Sequence, residues 1–157
     1  MKCSTFLICL LVFYTCSFAQ SYVKVSSEQL EELLKHKSDT TYVVSFFASW
    51  CAPCIQELPD LQAFALEHQT EKVKVILVSL DFEEDASEAL MPLLQKYAIT
   101  QPVWLLVANG NRWISHVYKH WNGSIPATLI FNNAVKKRIL LQQRVTRSML
   151  NQQLMAP

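Results

Sequence analysis

Cys51-Ala52-Pro53-Cys54 sets two thiols three residues apart, between an apolar run and an amphipathic one. Thiols at this spacing can close one disulfide with each other. The thiolate is the attacking form, and a free cysteine with a pKa near ~8.5 is mostly protonated at neutral pH. A cysteine at the start of a helix escapes that limit, because unpaired backbone N–H groups and the helix dipole stabilise its anion. Cys51 is therefore the expected nucleophile. Cys54, one turn further in, is the expected resolving thiol, which attacks a mixed disulfide on Cys51 and releases the product. Pro53 suits such a first turn, since its φ is fixed and its missing N–H costs little there.

The other chemistry open to Cys-x-x-Cys is half of a metal site. Structural zinc wants four ligands, and the remaining cysteines, Cys3, Cys9 and Cys16, all lie near the N-terminus. No metal is expected, and the redox-active group is the Cys51–Cys54 disulfide itself. His116 and His120, at i and i+4, could share a helix face as paired ligands do. With no acid or cysteine beside them in sequence, they read instead as surface or packing residues.

Several elements must position these thiols. Residues 41–47 (TYVVSFF) are β-branched and aromatic with little polarity, as expected of a central strand buried on both faces. A helix is predicted over 51–68, with Ile55, Leu58, Leu61, Phe64 and Ala65 on one face and a kink at Pro59. Upstream, a strand over 22–25 leads into the capping box Ser26-x-x-Gln29 and a helix to Lys37. Downstream come a strand over 72–80, a helix over 85–97 bent at Pro92, a strand over 103–107 and a short helix over 112–118. Strands over 127–131 and 135–142 flank Asn132-Asn133-Ala134, a hairpin signal because Asn tolerates positive φ. A last helix covers 146–154. Strands alternating with helices imply parallel pairing, and the closing hairpin adds antiparallel strands. The expected fold is α/β: a central mixed β-sheet with helices on both faces.

Residues 1–19 are nearly all apolar, with one charge at Lys2, and end in Ser17-Phe18-Ala19. That is the form of a secretory signal cleaved after Ala19, with an uncleaved N-terminal membrane anchor as the alternative. Residues 20–157 then form one domain. A composition of 51% hydrophobic residues and only two glycines excludes a disordered chain. All thirteen acids precede residue 89, whereas Lys136, Lys137, Arg138, Arg144 and Arg147 lie near the C-terminus. Either folding interleaves the two halves, or these bases form a face for an acidic partner. Aromatics are not interleaved with the bases, so no nucleic-acid partner is expected.

The run Phe46-Phe47-Ala48-Ser49-Trp50-Cys51-Ala52-Pro53-Cys54-Ile55-Gln56-Glu57-Leu58-Pro59 resembles the thioredoxin superfamily, and within it the TlpA/ResA-like exported thiol–disulfide oxidoreductases, whose pattern is FWAxWCxPCxxExP. Gly123-Ser124-Ile125-Pro126-Ala127-Thr128 resembles the loop that carries the superfamily's cis-proline. The resemblance covers residues 43–131 and implies a thioredoxin-like fold. It implies that Ile125-Pro126 packs across from the disulfide, exposing the Ile125 backbone to pair with an extended substrate. It further implies that Trp50, Ala52, Pro53 and Ile125 meet substrate, and that Glu57 assists proton transfer at Cys54. The alternative for Glu57 is an exposed carboxylate in the first turn of the helix. Thioredoxin carries a buried Asp six residues before its first cysteine. Ser45 stands there in this chain and cannot act as a base.

Ala52-Pro53 lacks the histidine of strongly oxidising and isomerising members, and Ile125 before the proline resembles the reducing ones. The expected activity is reduction of disulfides in cysteine-containing exported proteins, by a periplasmic monomer that is re-reduced by a membrane thiol donor. An oxidase or isomerase, or a copper-handling protein using both thiols and a distant histidine, are the alternatives.

Overall fold

The computed structural model describes residues 21–156. The expected signal segment, with Cys3, Cys9 and Cys16, lies outside the described residues. In chain order the elements are β1 (Val23–Ser26), α1 (Ser27–Lys35), β2 (Thr41–Phe47), α2 (Ala52–Glu67), β3 (Val73–Ser79), α3 (Ala86–Lys96), β4 (Val103–Val107), α4 (Arg112–Val117), β5 (Ala127–Asn132), β6 (Lys137–Leu141) and α5 (Arg147–Met155). The strands form one six-stranded sheet in the order β1-β4-β3-β2-β5-β6. β1, β4, β3 and β2 pair in parallel, and β5 and β6 join antiparallel.

β2 sits inside the sheet because nearly all of TYVVSFF is buried and both of its edges are paired. Its side chains alternate between two cores. Val43 and Phe47 face Leu58, Leu61 and Phe64 of α2, Leu90 and Leu94 of α3, and Leu150 of α5. Tyr42, Val44 and Phe46 face Leu30 and Leu34 of α1 and Trp113 and Val117 of α4. The sheet is thus mixed, with helices on both faces, as the alternation of elements predicts.

The capping box is present: Gln29 N–H donates to Ser26 Oγ, and Ser26 N–H donates to Gln29 Oε1 at 2.8 Å. α2 and α3 each run through their internal proline as one helix. The β5–β6 hairpin departs from expectation. β6 begins at Lys137 rather than at 135, and Lys136, not an Asn, takes the left-handed φ of 55°. Asn132 shapes the turn through its side chain instead, whose Oδ1 accepts from Ala134 N–H and Val135 N–H. Three of the bases expected to share a face have separate partners. Lys137 Nζ caps the C-terminal end of α5 at Gln153 O and Ala156 O. Arg138 is spent on Val117 O and His116 O at the end of α4, and Arg147 lies beside Glu67. Backbone carbonyls at helix ends consume the charges that the sequence sets side by side.

Candidate active site

β2 delivers the chain to the disulfide, and α2 carries it. Cys51 is the N-cap residue of α2, with its carbonyl accepting the first helical bond from Ile55 N–H at 3.0 Å. Cys54 lies one turn inside and is joined to Cys51 by a disulfide with Cα atoms 5.3 Å apart. No acid occupies the first turn of α2, so no negative charge at this helix end opposes a thiolate on Cys51. Cys51 is 6% exposed and Cys54 0%. Cys51 is the less deeply buried of the two.

Exposed groups surround that sulfur. Trp50 is 65% exposed, and Ala52 and Pro53 are also exposed. The Ile125–Pro126 peptide is cis, and both residues are half-buried. Ile125 packs against both cores, including the one that holds Cys51 and Cys54. The loop before it is fixed from within: Trp121 Nε1 donates to Ser124 O at 2.9 Å, and the Trp121 ring packs on Phe46 and Trp113. Trp113 and Trp121 are therefore core supports of this loop, both buried. Gly123, at φ +86°, approaches Ile114 so closely that an added Cβ would lie 2.8 Å from its Cδ1.

Glu57 is fully buried, which overturns the exposed first-turn alternative. It follows Cys54 by three residues on α2, a spacing that sets both side chains on one helix face. Ser45 Oγ donates to Glu57 Oε1 at 2.9 Å, and Val145 N–H donates to Oε2 at 3.0 Å. Burial raises its pKa to about 7, against the opposing pull of those two donors and of Arg144. Ser45, at the strand position where thioredoxin holds its carboxylate, thus contacts a carboxylate supplied by the facing helix. Sequence reading placed Ser45 and Glu57 separately and missed the contact between them.

Asp81, a further residue missed in the sequence, is 5% exposed just past β3. Its carboxylate accepts from Ser49 N–H at 3.0 and 3.1 Å, from Ser49 Oγ at 2.6 Å and from Ser79 Oγ at 2.6 Å. It anchors the turn that leads through Trp50 to Cys51. In sequence it reads as a helix lead-in, and only the apposition of two chain segments 32 residues apart reveals it. The two histidines at i and i+4 are not brought onto one helix face. His116 pairs with Glu31 of α1, while His120 lies in the turn beyond the end of α4.

Residues 15–138 match the AhpC/TSA family. The chain is 36% identical over 94 residues to a thioredoxin of Echinococcus granulosus, a match covering 60% of this chain and 78% of that one. It is 32% identical over 63 residues to sporulation thiol-disulfide oxidoreductase A of Bacillus subtilis, covering 40% of this chain and 38% of that protein. The fold is shared with a thioredoxin-related protein from Neisseria meningitidis serogroup B, at a TM-score of 0.64 and 21% identity over 78% of this chain and 87% of that one. The chain belongs to the AhpC/TSA family, within the thioredoxin superfamily, and is a redox enzyme of the thiol–disulfide oxidoreductase type.

Proposed function

We propose that this oxidoreductase works as a reductant of disulfides in cysteine-containing exported proteins, as a monomer that draws its electrons from a membrane thiol donor. The observation that carries the reading is the asymmetry of the pair. Cys51 caps the N-terminus of α2 and is the less buried of the pair, and Cys54 lies fully buried one turn below, on the same helix face as a buried Glu57 whose pKa is raised to about 7. In the reduced enzyme the Cys51 thiolate attacks a substrate disulfide. One S–S bond breaks, a mixed disulfide forms, and one substrate thiolate leaves. Cys54 then gives its proton to the Glu57 carboxylate and attacks the Cys51 sulfur. The second substrate thiolate departs, two electrons have passed to the substrate, and the enzyme is left as the Cys51–Cys54 disulfide.

Trp50, Ala52, Pro53 and Ile125 serve as the substrate surface, with Pro126 closing the side opposite the sulfurs. Ala52-Pro53 adds no cationic group between the cysteines to stabilise a Cys51 thiolate, which supports the reducing direction. The apolar segment 1–19 supports export.

Equilibration of the purified protein against defined thiol/disulfide buffers tests the direction. A reduction potential near about −270 mV or lower is expected of a reductant. A value near about −120 mV, that of a strong oxidant, would overturn it in favour of an oxidase or isomerase. Cys54→Ser is expected to accumulate a mixed disulfide with substrate, and Cys51→Ser to form none.

A further inference from the structure

Thr128 is fully buried, and its Oγ1 has no hydrogen-bond partner. Leaving a buried hydroxyl unpaired costs about 1–3 kcal/mol. A valine would fill the same space in a β-strand without that cost, so the hydroxyl calls for a physical explanation.

Its position supplies one. Thr128 lies directly opposite Ser45 in the antiparallel β2–β5 pair. Residues opposed in this way point to the same face, with Cβ atoms about 5 Å apart. Ser45 faces α2, because its hydroxyl donates to Glu57, so Thr128 faces α2 as well. The next residue pair along the same face, Val43 and Ile130, is apolar and packs into the core that contains Cys51 and Cys54. In the other direction lies Pro126, two residues before Thr128. The polar groups placed on the same side of the sheet include Ser45, Glu57 and the Val145 N–H held by Glu57, with Cys54 one helical turn from Glu57 on α2. In the oxidised enzyme Ser45 Oγ and Val145 N–H both donate to Glu57, the Cys54 sulfur is bound in the disulfide, and none of these groups is hydrogen-bonded to Thr128 Oγ1.

We propose that Thr128 is a positioning residue whose hydroxyl finds its partner only when the disulfide opens, donating to the Cys54–Glu57 pair while the two share a proton. The hydroxyl is unpaired in the oxidised state and paired in the reduced one, so it favours reduction. The proton moves as in the resolving step above, from the Cys54 sulfur to the Glu57 carboxylate, and Thr128 gains or loses none. Other charges bear on the same carboxylate: Asp60 of α2, held by Arg147 N–H, and Arg144 from the segment before α5. Neither is altered in the test below. The inference rests on the reading of Cys54 as the resolving thiol.

Thr128→Val and Thr128→Ser in the full chain separate the possibilities. Because one net hydrogen bond is worth about 1 kcal/mol, Thr128→Val is expected to shift the reduction equilibrium about fivefold towards the disulfide. That is a potential about 20 mV more negative. Urea unfolding in the two redox states should show the reduced form destabilised and the oxidised form as stable as wild type or more so. Thr128→Ser, which restores a hydroxyl, should return the potential to the wild-type value. A valine variant with wild-type potential, or equal loss of stability in both redox states, would overturn the proposal and leave Thr128 a packing residue. A shift that serine does not reverse would overturn it too. Cys54→Ser retaining full turnover would instead sink the reading of Cys54 on which the proposal stands.

Discussion

Two buried carboxylates flank the disulfide, and they are held in different ways. Asp81 lies beside the chain entering Cys51 and receives one backbone N–H and two hydroxyls, all from the ends of β2 and β3. Glu57 lies one turn past Cys54 and receives one hydroxyl and one N–H, between α2, the sheet and the segment before α5. Asp81 ties two loop segments together and fixes where Cys51 begins its helix. Glu57 joins three layers of the fold, and burial leaves its proton exchangeable near neutral pH. On the proposed function the two carboxylates have different work: Asp81 holds the turn before Cys51, and Glu57 takes the proton of the resolving step.

The sharpest way to break this division is to remove Asp81. Asp81→Ala leaves the Ser49 N–H and two hydroxyls without their acceptor, and is expected to cost about 4 kcal/mol. The measurement is the urea midpoint, which should fall while the slope m stays unchanged. A loss below about 1 kcal/mol would show that the turn before Cys51 is held by something else.

The second prediction concerns Glu57 and pH. Its folded pKa of about 7 lies above the ordinary value of 4.5, so the folded state binds the extra proton between these values. The stability from that proton is fully present below about pH 4.5 and is lost as pH rises through about 7. Oxidised wild type should therefore be less stable at pH 8 than at pH 5, by up to about 3 kcal/mol from this group. Glu57→Gln should flatten this dependence, since its amide can accept from Val145 N–H and donate to Ser45. In turnover, the resolving step should quicken as pH rises through about 7 and level off above it. In Glu57→Gln that rise should vanish. If stability or the resolving rate kept its slope in the variant, proton exchange would have to be sought elsewhere.

The contrast between the two acids also separates what the sequence reveals from what it conceals. β2, the start of α2 and the cysteine pair are legible because their signals are local: an unbroken apolar run, then Cys-x-x-Cys with Pro53 in the first turn. The burial of Glu57 is not local. Position i+3 from Cys54 fits either a buried or an exposed face, and the decision comes from Ser45, 12 residues before, and Val145, 88 residues after. Asp81 is concealed for the same reason, its partner Ser49 lying 32 residues upstream. The run Lys136-Lys137-Arg138 misleads in the opposite sense. Adjacent in sequence, Lys137 and Arg138 are drawn to the ends of two different helices, so charges that are neighbours in the sequence take separate partners.

The smallest expected effects come from the two serines, and they test the comparison most finely. Ser45→Ala removes the hydroxyl donor from Glu57 Oε1. That donor favours the ionised carboxylate, so its loss should move the midpoint of the resolving step to a pH higher than the wild type's. At pH 8, where the carboxylate is charged, the same change is expected to cost about 2 kcal/mol, because hydrogen bonds to charged groups are the stronger ones. Ser49→Ala also removes a hydroxyl from a buried carboxylate, yet the Ser49 N–H remains on Asp81 and the turn keeps its anchor. It is expected to cost a similar amount, about 2 kcal/mol, and to leave the pH midpoint of the resolving step where wild type has it. Urea midpoints, together with single-turnover resolution across pH, read out both variants. A shift of the midpoint by Ser49→Ala as large as that by Ser45→Ala would mean that Asp81 too acts on the proton at the disulfide, and the division between the two carboxylates would not stand.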